Sequence, residues 1–517
     1  MTEFHGGWIL SLLYATGCVL VWIQPRRQWQ IARTIAALGL VATIAAAIGA
    51  FIWLQFNPLR VDKLGLTGAL LVSLLGWVIV GYSSRYLDGE PHQDRFVRAM
   101  LFTLAAVSVL MLSRHLAIIV LAWSGTSIGL HFLLTHYRER KTAQIVAHKK
   151  FLVSRLAELC LVVALGLVYQ ASGTLTLDGL FIYLDELQTL PTGLTWAATL
   201  FALAAILKSA QLPLHGWLIQ VMEAPTPVSA LLHAGVVNIG GFVLIRLADL
   251  ISLAPIAQTL LVLVGSLTAV LASLVMMTRI SIKVRLAWST CAQMGFMLLE
   301  VGLGLYELAL LHLVAHSLYK AHAFLSAGTA VEEARTSALH QGRSRLRPLL
   351  WYLSAVTISG ALVAGSALVW QILLPSLSIP VVALTIIVLG LTPLLWLEQG
   401  SRPGQVLRGC ALVLGLTQLY LIWHVLFASL APTGAEVATP LVAWTLLSFG
   451  ALYGIQAWFR CHPNGRLATM LYPWAYCGFY LDETFTRLTF RVWPARLSPT
   501  QASTLVNRHF AGQGDSL

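Results

Sequence analysis

Of the 517 residues, 58% are apolar and 10% are charged, where a soluble globular domain carries about half apolar and about a quarter charged. The net charge is +12, but the basic residues fall in short connections between apolar runs, which marks membrane topology rather than a nucleic-acid surface. These figures exclude a soluble enzyme and leave lipid as the medium facing most of the chain.

Apolar windows of about twenty residues, the length that crosses a hydrocarbon core at 1.5 Å per residue, number about fifteen. They cover 7–23, 31–54, 64–82, 98–113, 115–134, 150–170, 193–210, 226–248, 254–276, 284–303, 306–329, 349–373, 378–397, 406–430 and 437–459. The expected fold class is an all-α polytopic membrane protein with no soluble domain. The first window has no small-residue cleavage site behind a basic start, so a retained helix is expected rather than a secretion signal. Connections after odd-numbered windows hold Arg26, Arg27 and Arg33, then Arg85, Arg95 and Arg98, then Arg138, Arg140, Lys141, Lys149 and Lys150. Later ones add Arg279, Lys283 and Arg285, then Arg335, Arg343, Arg345 and Arg347, whereas even-numbered connections hold chiefly Arg60, Lys63, Arg114 and Arg246. This asymmetry predicts an inner-membrane protein with its N-terminus periplasmic and its C-terminus cytoplasmic. The basic stretches 138–150 and 335–347 are either partner-docking loops or solvated connections.

An ionisable side chain at mid-membrane costs about 2.5–3.5 kcal/mol on insertion scales, so each one inside a window is a candidate functional group. Glu158 sits in the sixth window, with Arg155 three residues before it on the same side. It is either a local ion-pair partner or a membrane-embedded counter-ion for a lysine elsewhere. Lys208 lies near the end of the seventh window in AAILKSAQLPLHGW, five residues before Pro213. Proline frees backbone carbonyls that need protein or water, so a lysine beside it can line a hydrated half-channel; the alternative is a lysine snorkelling to the interface. Glu223 precedes Pro225 and Pro227, which open the next helix. It either tunes an ion entry site or is simply an acid at a helix N-terminus. His233 follows about two turns in, flanked by Ala230, Ala234 and Gly235; imidazole suits a proton relay, and a packed histidine is the alternative. His312, His316 and Lys320 are spaced by four and share one helical face, as a proton relay would require. Two histidines at that spacing also suit a metal, but no nearby carboxylate or cysteine completes a ligand set.

The six cysteines, Cys18, Cys160, Cys291, Cys410, Cys461 and Cys477, have no paired spacing for a cluster, so free thiols and no iron–sulfur centre are expected. There is no phosphate-cradling loop or dinucleotide fingerprint either. No cofactor is expected in this chain.

The stretch KSAQLPLHGWLIQVMEAPTPVSALLHAG (208–235) resembles the antiporter-like proton-pumping subunits of respiratory complex I, especially subunit 5, and the large subunit of multi-subunit sodium/proton antiporters. The likeness continues through 281–297 and 311–328, weakens after about 330 and returns in AYCGFYLDETF near the C-terminus. It implies two inverted five-helix repeats, each with a broken helix, over 98–248 and 254–397, preceded by helices in 1–97 and followed by helices and a cytoplasmic tail in 398–517. By the same likeness Lys208 is the central lysine of the first half-channel and His233 the histidine after it. Arg155 and Glu158 match an Arg-x-x-acid motif, and His312, His316 and Lys320 match the relay toward a second half-channel.

Two departures stand out. The family's Trp-Glu pair reads Trp123-Ser124 here, which leaves Glu158 to partner the lysine, and no lysine follows Lys320, so the second broken helix, expected in 349–373, lacks its own. The chain also ends before the long lateral helix of subunit 5. With HKKFLVSRLAE and HGWLIQVMEAPTPVSALLHAGVVNIGGF, these differences resemble the membrane subunit of the DAB inorganic-carbon accumulation system. That likeness implies a large cytoplasmic zinc partner similar to a β-carbonic anhydrase, with entry of protons, or less readily sodium, driving hydration of CO2 to bicarbonate. The rival readings are a pumping subunit of an NADH- or ferredoxin-quinone oxidoreductase, an antiporter with no attached enzyme, and a scaffold with vestigial charges.

Overall fold

The computed structural model describes residues 7–54, 62–328, 348–396 and 403–492, apart from positions 138, 376, 378, 433, 435 and 436. In lipid every backbone polar group must be satisfied internally, and the sequence meets that demand with helices. They run α1 (Gly7–Ile23), α2 (Gln28–Leu54), α3 (Lys63–Tyr86), α4 (Gln93–Leu112), α5 (Leu116–Leu134), α6 (Lys141–Ser172) and α7 (Leu177–Asp185). Next come α8 (Thr192–Lys208), α9 (Gly216–Ile219), α10 (Thr226–Ala234), α11 (Ile239–Arg246), α12 (Ala248–Ser252), α13 (Pro255–Met277), α14 (Ile282–Gly302) and α15 (Tyr306–Leu325). After the undescribed 329–347 follow α16 (Leu349–Leu373), α17 (Val381–Leu391), α18 (Pro403–Ala428), α19 (Thr439–Cys461), α20 (Arg466–Tyr476) and α21 (Leu481–Val492). Among the described residues the one β-like pairing is a bridge between His115 and Thr176.

Ten helices are long and apolar enough to cross a membrane, and three shorter apolar helices start at Trp8, Thr192 and Val381. The chain is therefore a multi-pass membrane protein. α14 and α15 occupy the windows expected at 284–303 and 306–329, but their ionisable residues keep them out of that set of ten. Outward faces of α2 and α6 present Val41, Ile48, Leu159 and Val162, as lipid requires, whereas every residue of α10 and α11 is buried.

Small residues set the closest approaches. A Cβ on Gly265 of α13 would lie 2.6 Å from the Gly295 carbonyl of α14, and one on Gly295 would lie 2.7 Å from the Gly265 carbonyl, so only glycine permits this contact.

Two helices in the buried centre are interrupted. α8 ends at Lys208; the chain passes through Ala210 at φ +53° and Pro213, and helix resumes at Gly216. Neighbours satisfy the freed groups: Leu212 N–H donates to Thr268 Oγ1 at 3.2 Å, and Cys291 Sγ donates to the Ala210 carbonyl at 3.3 Å. The second interruption falls inside the span expected over 226–248, which remains one crossing over Thr226–Arg246. Helix stops at Gly235, a 3-10 turn covers Val236–Asn238, and α11 begins at Ile239. Glycine and asparagine at these positions favour helix termination, and Asn238 Nδ2 caps the break by donating to the Ala234 carbonyl (3.0 Å) and to Ser317 Oγ of α15 (2.7 Å). By contrast α16, where a second broken helix was expected, runs through 25 residues without interruption.

Polar contacts close both ends of the bundle. Lys283 donates to Thr226 Oγ1 (3.0 Å) near Tyr86 at the end holding the predicted cytoplasmic connections. At the other end Arg246 pairs with Asp62 (2.9 Å) and Arg114 with Asp178.

Candidate functional site

Lys208 ends in the interior. Its Nζ donates to the Trp123 carbonyl and to Ser127 Oγ, both at 3.2 Å, lies 3.6 Å from Glu158 Oε1 and sits 5.0 Å from the centre of the Trp123 ring. The Lys208 side chain is 6% exposed and that of Glu158 is 14% exposed. A lysine snorkelling to the interface would be solvated, so that reading of Lys208 is set aside. Glu158 satisfies both of its readings together: Arg155 Nη2 donates to the same Oε1 at 2.8 Å. Loss of the Lys208 proton therefore leaves the Glu158 charge compensated by Arg155. Ser124 is not the partner that replaces the family's glutamate; Ser127, one turn on, supplies the hydroxyl.

The sequence reading missed a second lysine here. α6 begins at Lys141 rather than near 150, so Lys149 and Lys150 are helical residues and not part of a basic loop. Lys150 is buried, donates to the Ser127 carbonyl at 3.5 Å and lies 5.9 Å from the Trp217 ring centre. Ser127 thus joins two lysines, one at its carbonyl and one at its hydroxyl.

Lys149 serves another purpose. Wholly buried, it reaches Asp482 Oδ1 (2.6 Å), Thr486 Oγ1 (2.8 Å) and Gln220 Oε1 (3.2 Å), while Gln220 Nε2 donates to Asp482 Oδ2 at 2.8 Å. This clasp holds the C-terminal α21 against the segment after the α8 break, where a Cβ on Gly216 would collide with Asp482. The side chain of Glu223 lies outside the described residues, as does the basic stretch 335–347.

His233 is fully buried in α10 and stacks on Phe324 of α15 with ring centres 4.4 Å apart. Neither of its nitrogens has a hydrogen-bond partner among the described residues. One turn back from Phe324, Lys320 donates to the Leu286 carbonyl at 3.0 Å and to Ser289 Oγ of α14. His316, 5% exposed, has both nitrogens unpartnered, and its ring centre lies 6.0 Å from that of His312. His316 and Lys320 are buried on α15, with His312 one turn further along the same helix. A carboxylate that the sequence did not single out lies beside them: Glu300 of α14, whose Oε2 is 2.8 Å from His312 Nδ1, although among the described residues no group of three or more His, Cys, Asp or Glu side chains is placed to hold a metal. α14 and α15 are antiparallel neighbours joined by a short turn, which brings residue 300 opposite residue 312. His322 lies exposed, off this face.

A buried imidazole without a protein partner carries a desolvation cost that ordered water removes. Lysines fixed by carbonyls, carboxylates shared with arginine, and imidazoles open on both nitrogens together suit stepwise proton movement through a membrane interior.

Comparison with known proteins finds antiporter-like membrane subunits. Residues 113–388 match the family model described as NADH:quinone oxidoreductase/Mrp antiporter, TM, and residues 53–97 match NADH-Ubiquinone oxidoreductase (complex I), chain 5 N-terminus. The fold is similar to the Mrp complex of Dietzia sp. DQ12-45-1b (TM-score 0.55, 22% identity, 98% of this chain and 59% of that one). It is also similar to an archaeal membrane-bound sulfane sulfur reductase (TM-score 0.56, 18% identity, 93% of this chain and 98% of that one). Among curated relatives, "Probable inorganic carbon transporter subunit DabB" of Hydrogenovibrio crunogenus is 40% identical over 92% of both chains. The corresponding DabB2 of Halothiobacillus neapolitanus is 39% identical over 88% of this chain and 84% of its own. The chain belongs to the DabB family of inorganic carbon transporter subunits, a branch of the antiporter-like membrane proteins.

Proposed function

We propose that this chain conducts a cation across the inner membrane as one part of a two-component inorganic-carbon uptake complex. Its inward flow drives hydration of CO2 to bicarbonate in a cytoplasmic zinc-binding partner similar to a β-carbonic anhydrase. The observation that carries the reading is Lys208, buried beside a broken helix and shared between a carbonyl, a hydroxyl and the Arg155-paired Glu158. The ion is a proton: ammonium and imidazole groups, which make up most of the string, exchange protons and already occupy the oxygens around them. On this reading Lys208, Glu158, His233, His312, His316 and Lys320 carry the path. Arg155 holds Glu158, and Glu223 tunes the cytoplasmic mouth. On this reading that mouth and the C-terminus face the cytoplasm and the N-terminus the periplasm, an orientation the charge asymmetry of the connections supports. The repeats 98–248 and 254–397 form the two halves, with the zinc and the chemistry held by the partner. One charge crossing about 150 mV releases roughly 3.5 kcal/mol, which sustains a bicarbonate gradient of about 300-fold.

Purifying the tagged chain from its native membrane in mild detergent, identifying its companions and measuring bound zinc tests this reading. One large zinc-containing soluble protein is the expected result. Iron–sulfur or quinone-linked companions without zinc would overturn it in favour of a redox-driven pump.

A further inference from the structure

Beyond Lys320 the chain has no lysine with which to continue a path into its second half, and α16 is unbroken. A buried string of titratable groups must nonetheless end where water can reach it. His312, His316 and Lys320 lie along α15, about 12 Å from first to last at 1.5 Å per residue. His312 is the member nearest Tyr306, at the end away from the basic connections. Glu300 lies 17 residues beyond Lys283 on α14, about 26 Å along the axis at the same rise, and so also near that far end.

At this point there is a cavity. It has a volume of about 260 Å³ and lies between α14, α15, α17 and α18. Most of the wall is apolar, supplied by residues such as Phe296, Leu308 and Ala383, but Gln293, Glu300, His312 and Tyr420 converge on it. Two of these polar groups have unused hydrogen-bonding atoms: His312 Nε2 and the Tyr420 hydroxyl are buried without a partner among the described residues. The His312 and Glu300 side chains are 10% and 8% exposed, so a charge on either is held inside the protein and not at a wet surface. A dry apolar cavity needs none of these groups, whereas a hydrated one satisfies all of them.

We propose that Glu300 and His312, with the cavity they line, form the far-side terminus of the ion path and take the place of the missing second-half lysine. The inference rests on the reading of Lys208 and its string as a proton path. In the inward direction a proton from cavity water binds the Glu300 carboxylate, and the acid passes it to His312 Nδ1. The resulting imidazolium releases its Nε2 proton toward His316, leaving a neutral imidazole and a carboxylate; rotation of the ring then turns the vacated nitrogen toward Glu300, ready for the next proton. The ligand class is hydronium or a water-borne proton. Sodium is disfavoured because the one anionic group, Glu300, is already paired with His312 and most of the remaining wall is apolar.

The test uses native membrane vesicles that hold the full chain with its natural companions, an imposed proton gradient, supplied CO2, and a pH-sensitive dye inside. Three variants are compared at matched accumulation: Lys208→Gln, Glu300→Gln, and Ala383→Leu, which narrows the cavity and leaves every charge in place. At least a tenfold fall in proton entry is expected for Glu300→Gln and for Ala383→Leu, with Glu300→Asp recovering part of it at a shifted pH optimum. Wild-type entry in either cavity variant overturns the Glu300 terminus. If Lys208→Gln is then still inactive, the reading of Lys208 survives; if it too is active, both fail. Should Glu300→Gln not accumulate, Ala383→Leu decides alone.

Discussion

Lys208 and His316 are both buried, but the protein holds them in opposite ways. The lysine has a carbonyl, a hydroxyl, a carboxylate and an indole face around its ammonium group. The histidine has two ring nitrogens and no partner for either. A group surrounded by acceptors keeps one position and stores charge there; a group with open nitrogens gains its hydrogen bonds from whatever arrives. The contrast divides the path into a fixed station near the α8 break and a mobile relay along α15.

The sharpest way to break that comparison is to remove the station. Lys208→Gln is expected to lower proton entry by about a hundredfold or more, in the range that positioned acid–base groups contribute to proton transfer. Growth at ambient CO2 should be lost, while the protein still accumulates. Wild-type growth at ambient CO2 would make the buried charge vestigial. His316→Ala follows, at roughly tenfold to a hundredfold, because water entering the space can replace part of the relay. Such partial rescue is not open to Lys208, so equal losses in the two variants would erase the distinction between station and relay. Growth curves across a CO2 series, with vesicle proton entry alongside, measure both.

Glu158 tests the charge balance of the station. Glu158→Gln leaves Arg155 and Lys208 without their shared carboxylate, and breaking a buried pair from one side costs about 3–5 kcal/mol when both charges stay buried. Here Arg155 is 43% exposed and can turn outward, so the loss falls mainly on Lys208. A drop in proton entry of about tenfold is expected. Arg155→Ala should do less, since Glu158 keeps Lys208. A larger effect for Arg155→Ala than for Glu158→Gln would show that the arginine is itself the station.

How much of this the sequence disclosed depended on where each charge fell. Lys208, His233, His312, His316 and Lys320 stood out because each interrupts an apolar window, and Pro213 announced the first break. Lys150 did not stand out, since next to Lys149 and the preceding basic residues it reads as one more loop charge; only the early start of α6 carries it inside. Glu300 was missed for a related reason. An acid two residues before a helix end looks like an interface residue until the antiparallel partner sets His312 against it. The break at Gly235–Asn238 lacks a proline of its own and depends on a tertiary acceptor, Ser317, that no local pattern reveals. Asp482 is 333 residues from the lysine it holds, and nothing in the intervening sequence couples them.

That last pair gives the comparison its third member and the smallest expected effect. Lys149 is buried as deeply as Lys208, but it contacts its carboxylate directly at 2.6 Å and has two further neutral acceptors, Gln220 and Thr486. Its three bonds fix the side chain in place, so Lys149 is a structural lysine although it lies one position from the end of the basic stretch 138–150. Asp482→Asn removes the charge but keeps an oxygen for Lys149, and Asp482 is partly exposed, so the cost should be about 1–2 kcal/mol, near that of one charge-assisted hydrogen bond. α21 should then be cut more readily by added protease, and thermal unfolding in detergent should begin a few degrees lower. Proton entry per assembled complex should change less than twofold, well below the effects expected on the path. A loss of proton entry comparable to that of Lys208→Gln, with α21 still protected, would move the clasp from scaffold to path and show that burial and partner number alone do not separate the two kinds of lysine.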